Sequence, residues 1–135
     1  MFLQPKKTKF KKYRKGKIQL KSSSFKNLQY GSIGIKCLKS GKLNNRQIEA
    51  IRQNISRGIK RKGKLWMNVF PDIPVSSKPS EVRMGKGKGD ITNWISKISA
   101  GKVIIELEGI PEKISLKVLN SVSKKLPFKT YIIKL

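Results

Sequence analysis

The sequence predicts an α+β fold: a two-layer sandwich of a mostly antiparallel sheet with two helices, a basic N-terminal tail and a long projecting loop. Three observations lead there. Two stretches repeat apolar residues at helical spacing, five alternate at the period of two that marks strands, and cations crowd segments that show neither pattern. Of the 135 residues, 32 are Lys or Arg and 7 are Asp or Glu, a formal charge of +25. One domain is expected, over residues 28–135, preceded by a basic extension over residues 1–27. Such self-repulsion in a small fold implies a permanent polyanion as partner. The first acid is Glu49, so everything before it carries only positive charge.

The tail holds Lys6, Lys7, Lys9, Lys11, Lys12 and Arg14 around Phe10 and Tyr13, with little apolar periodicity. It is expected to be extended and to order against phosphate, with the two aromatics stacking on bases or pinning the tail to the domain. Residues 30–38 alternate through Ile33, Ile35 and Cys37 as a strand, which Ser40 and Gly41 break. Asn44 or Asn45 then caps a helix over residues 45–62. At about 100° per residue, Ile48, Ile51, Ile55 and Ile59 fall on one face. Arg46, Arg57, Lys60 and Arg61 project from the other and are candidate phosphate contacts.

Residues 64–70 form the next strand, with Trp66 read as core or core edge rather than as a stacking platform. Pro71, Pro74 and Pro79 make residues 71–90 a long irregular loop, of the kind that is usually functional. Residues 91–99 and 102–108 flank Ala100 and Gly101 as a hairpin. A second helix opens after Pro111, its stripe being Ile114, Val118, Val122 and Leu126, and Pro127 stops it. Residues 128–135 close the domain as a strand.

Arg83 to Gly89 (Arg Met Gly Lys Gly Lys Gly) is the most unusual segment. Gly85, Gly87 and Gly89 let backbone approach a ligand closely, while Lys86 and Lys88 place point charges where phosphate oxygens would sit and Arg83 adds a planar fork. A nucleotide-binding P-loop needs a glycine, four further residues, then Gly, Lys and a hydroxyl, entered from a strand. Neither spacing nor hydroxyl is present. The chain holds no histidine and one cysteine, Cys37, which excludes an internal disulfide and a Cys/His zinc site. Cys37 reads as a small buried hydrophobe. Glu106 and Glu108 share one strand face as solvated or salt-bridged groups rather than as a catalytic dyad. No catalytic residue, cofactor, metal or small-molecule substrate is therefore expected. No apolar run approaches the ~20 residues of a membrane span, and neither a secretory signal nor a long transit peptide is expected. Membrane binding through the basic helix is the weaker reading of that element, since its strand-rich neighbours favour packing.

What remains is a wraparound nucleic-acid binder. Only six of the 32 cations are arginine, which favours backbone attraction over bidentate base reading and suits folded RNA. A free-standing nucleic-acid module and, less favoured, a nucleotide-binding enzyme using the glycine-lysine loop are the alternatives.

Two blocks carry a closer likeness: Lys64 to Pro74 (Lys Leu Trp Met Asn Val Phe Pro Asp Ile Pro), and Lys78 Pro79 with Glu81 to Gly89. They resemble the signature blocks of family sixteen of the large ribosomal subunit, bacterial and organellar type. The likeness extends to Pro5 to Phe10, Arg46 to Ala50, Gly101 to Val103 and Lys125 to Pro127. The resemblance implies a structural constituent of the large subunit that binds large-subunit rRNA near the aminoacyl-site tRNA, beside neighbouring ribosomal proteins. It implies RNA contact at Arg83, Lys86, Lys88 and the tail from Lys6 to Arg14. The chain departs from the family where Tyr13 and Arg14 replace a tail histidine, and from Ile18 to Gln29, which is divergent and serine-rich. The Lys, Ile and Asn bias suggests an AT-rich gene. Trp94 to Gly101 looks more like mitochondrial members than plastid ones, so the mitochondrial ribosome is the expected location, with a plastid or a bacterial cytoplasm as alternatives.

Overall fold

The structure, a computed structural model, describes residues 3–18, 27–60 and 62–135. Its elements are β1 (Ile33–Cys37), β2 (Gly41–Asn44), α1 (Asn45–Gly58), β3 (Lys64–Met67), β4 (Ile73–Ser77), β5 (Asp90–Ile98), β6 (Val103–Glu108), α2 (Glu112–Ser123) and β7 (Thr130–Lys134). The α+β class is as expected. The strands, however, divide into two antiparallel sheets, one ordered β3-β6-β1-β7 and one ordered β2-β5-β4.

This division corrects the hairpin expected around Gly101. Strands β5 and β6 follow one another in sequence but do not pair: β5 lies between β2 and β4, and β6 lies between β1 and β3. The turn itself forms, with Gly101 at φ +88° and its N–H donating to the Cys37 carbonyl at 2.8 Å. Burial explains the split. Every residue from Val103 to Leu107 is buried, so β6 needs cover on both faces, whereas β5 buries only Ile95, Ser96 and Ile98.

Helix α1 packs against α2, β2 and β5, and α2 packs on β1 and β7. Their shared core includes Ile35, Ile48, Ile51, Ile55, Ile105, Leu107, Leu119 and Val122. The helix start is legible: Gln47 Oε1 accepts from the Asn44 N–H at 2.9 Å. The helix ends a turn early, at Gly58, and Lys60 and Gly63 then take positive φ to redirect the chain into β3. In α2 the expected stripe is only partly buried, because Ile114 is 44% exposed. A repeat of four advances about 40° per step on a 3.6-residue helix, so the buried face moves to Ser115, Val118, Leu119 and Val122.

Two strands were not anticipated. Strand β2 is short and polar, with Leu43 as its one buried apolar residue. Strand β4 runs through Pro74 within the stretch expected to be irregular, and contracts the loop to residues 78–89. It is an edge strand, where a missing N–H on the outer side is tolerated.

Candidate nucleic-acid interface

The loop is closed at its neck by Ser77 pairing with Asp90 across β4 and β5. There Gly89 runs so close to β4 that a Cβ would collide with the Ser77 carbonyl. Gly85 (φ +101°) and Gly87 (φ +81°) face open space, so there glycine serves backbone conformation alone. Lys86 between them sits at φ +54°, giving three consecutive left-handed residues. The Lys78 ammonium donates to the Gly85 carbonyl and Val82 N–H to the Pro79 carbonyl at 3.3 Å, which fixes this turn from within. Arg83, Lys86 and Lys88 are all exposed.

The tail and the loop meet. Lys12 Nζ donates to the Lys88 carbonyl and Lys88 Nζ donates to the Tyr13 carbonyl, each at 2.7 Å. Lys12 also stands 3.6 Å from the Asp90 carboxylate, itself fully exposed. Further along, Lys97 on β5 donates to the Lys17 carbonyl at 3.3 Å. At its start the tail reaches α1, where Leu3 shares a recess with Asn45, Arg46, Glu49, Ala50 and Gln53. Lys6, Lys7, Lys9, Lys11, Lys12 and Arg14 all remain exposed along this path. Phe10 and Tyr13 pack edge to face at 6.0 Å, with Lys9 Nζ 5.6 Å from the Phe10 ring. The tail thus joins the loop to the start of α1. Farther along the helix, Arg57 and Lys60 line a separate recess with Arg52, Gln53 and Ser56. Arg61 lies outside the described residues.

Sequence reasoning missed Lys97 and Asp90, which meet the tail from β5. Nothing in their local pattern marks them, since their partners lie elsewhere in the chain. It also missed the part played by Glu106. This residue is 0% exposed, and Oε2 accepts from the N–H groups of Gln29, Tyr30 and Gly31 at 3.0, 2.8 and 2.9 Å, while Oε1 accepts from Asn68 Nδ2 at 2.6 Å. Burial pushes its carboxyl up, but these four donors together hold it below the usual carboxylate value. The Tyr30 ring is held over Trp66, stacked at 6.0 Å and 20°. Glu106 is therefore structural; only Glu108 meets the expectation of an exposed acid.

The remaining acids neutralise little. Glu49 is held at about 2 mainly by its hydrogen bonds from Arg52, at 2.7 and 3.0 Å, and Glu112 pairs with Lys134 at 3.1 Å. Burial pushes the Cys37 thiol up to about 11, as suits a hydrophobe rather than a reactive group. Among the described residues no cluster of His, Cys, Asp or Glu could hold a metal ion, and no helix is long and apolar enough to cross a membrane.

Comparison with known proteins finds relatives over nearly the whole chain. A family model described as ribosomal protein L16p/L10e matches residues 5–133. The chain is 49% identical over 132 residues to a protein of Psychrobacter arcticus named large ribosomal subunit protein uL16, covering 98% of this chain and 96% of that one. Proteins of the same name from Hyphomonas neptunium and Sphingopyxis alaskensis are 46% and 47% identical, over 98% and 97% of this chain and 96% and 92% of theirs.

Proposed function

The chain belongs to the ribosomal protein L16p/L10e family, structural constituents of the large ribosomal subunit rather than enzymes, and from that premise we propose how it engages its partners. The joined tail and loop form the face that lies on large-subunit rRNA beside the aminoacyl-site tRNA. Arg83, Lys86 and Lys88 contact phosphate from the loop, and Lys6, Lys7, Lys9, Lys11, Lys12 and Arg14 do so from the tail. Arg46 and Arg57 extend the contact along the first helix, Lys60 follows just beyond its end, and Arg61, outside the described residues, is a candidate from sequence alone. Neighbouring ribosomal proteins complete the setting. The reciprocal hydrogen bonds of Lys12 and Lys88 carry this reading. Two strongly basic segments held together with only Glu81 and Asp90 as acids beside them demand an external anion, and the phosphate backbone supplies one.

The test is the double substitution Lys86→Glu with Lys88→Glu. Both residues are exposed, so unfolding stability is expected to change by less than about 0.5 kcal/mol, while tRNA accommodation or subunit maturation is impaired. Unchanged translation and assembly would refute the reading. The chain is further assigned to the mitochondrial ribosome, on its Lys, Ile and Asn bias and the sequence of Trp94 to Gly101. Cosedimentation with plastid or bacterial large subunits would overturn that assignment.

A further inference from the structure

We propose that Met84, assisted by Val82, is an apolar contact for the exposed ring face of an unpaired nucleotide, set at the tip of the basic loop. Met84 is 98% exposed and Val82 53% exposed. Methionine ordinarily belongs to interiors, and a side chain presented this completely has no partner among the described residues. The backbone beneath is nonetheless held. The left-handed run from Gly85 to Gly87, the Lys78 bond to the Gly85 carbonyl and the Val82 bond to the Pro79 carbonyl keep the tip turned outward.

The surroundings select the partner. Arg83 lies between the two apolar residues, and Lys86 and Lys88 follow within a few positions, against Glu81 and Asp90 as the acids of this segment. An apolar protein groove receiving Met84 would have to desolvate those cations without return. An unpaired nucleotide offers both an apolar ring face for the polarisable thioether and phosphates for the charges around it. Paired bases hide their faces in the stack, so a bulge, loop or strand end is the RNA feature that fits.

This inference rests on the RNA-binding reading above, and salt dependence separates the two. Full-length protein is titrated with protein-free large-subunit rRNA at several salt concentrations. Met84→Ala is expected to weaken binding about tenfold, as burial of a methionine side chain implies, with the salt slope unchanged. Met84→Leu restores most of the affinity. Lys86→Ala instead lowers the slope by about 0.9, the signature of one lost phosphate contact. Base-specific chemical probing adds a direct readout: a nucleotide protected by the wild-type chain becomes reactive with Met84→Ala. Wild-type affinity and protection in Met84→Ala overturn the inference while leaving RNA binding intact. Loss of a ribosomal protein partner by Met84→Ala, with rRNA binding unaffected, overturns it in favour of a protein contact. Absence of salt-dependent binding by the wild-type chain overturns the RNA reading itself.

Discussion

The segment Gln29 to Gly31 and the loop from Lys78 to Gly89 are both irregular backbone tied down by charge, and they are tied by opposite means. In the first, a buried anion collects N–H groups: Glu106 accepts three from successive residues and a fourth from Asn68. In the second, surface cations donate to carbonyls, Lys78 to Gly85 and Lys12 to Lys88. The difference lies in what is left over. Both Glu106 oxygens are taken up and shielded from water, so this charge is committed to the fold. A lysine ammonium has three donors and these lysines spend one or two, so each can hold the loop and still receive a phosphate oxygen. One region uses charge to complete the interior, and the other uses it to organise an exposed basic surface.

Glu106→Ala should break that comparison most severely. It strands the buried Gly31 N–H and the donors beside it, and unfolding stability should fall by about 2 to 3 kcal/mol. Urea unfolding measures this, and a loss as small as that of Lys88→Ala would show that the carboxylate is no more structural than the surface lysines.

Acid titration sharpens the same point with a smaller effect. The folded carboxyl of Glu106 titrates below its ordinary 4.5, so its contribution is full above that value and is lost as pH falls toward the lower folded one. Glu49, held at about 2 by Arg52, has the same sign but, as one half of a surface ion pair, contributes little. Stability should therefore decline below about pH 4.5, and Glu106→Gln should flatten that decline. An unaltered acid limb in Glu106→Gln would contradict the assignment.

The smallest effect concerns the tail and loop. A double-mutant cycle of Lys12→Ala and Lys88→Ala should give a coupling in stability of no more than about 1 kcal/mol, as for exposed polar contacts. In rRNA affinity the two should also couple, because each holds the other's segment in place. Additive losses of affinity would mean that the tail and loop bind RNA separately.

The legibility of the molecule follows the range of its interactions. The helix from Asn45 was readable because Ile48, Ile51 and Ile55 recur on one face, and β1 because Ile33, Ile35 and Cys37 alternate. Strand β4 was hidden by Pro74, since local rules cannot know that the strand lies at an edge. The expected hairpin failed because adjacency in sequence favours pairing, whereas β6, buried from Val103 to Leu107, pairs instead with β1 and β3, strands that lie well before it in the chain.

Composition and short-range pattern by themselves determined the α+β class, the strong positive charge and the identity of the basic tail and glycine-lysine loop. These depend on residue type and spacing, which the chain carries wherever it folds. Only the tertiary structure decided that tail and loop form one surface, through Lys12 and Lys88, and that Glu106 belongs to the interior. Both outcomes join residues more than seventy positions apart, and no local preference encodes such a meeting. It arises from how the two sheets and two helices bury their apolar faces together.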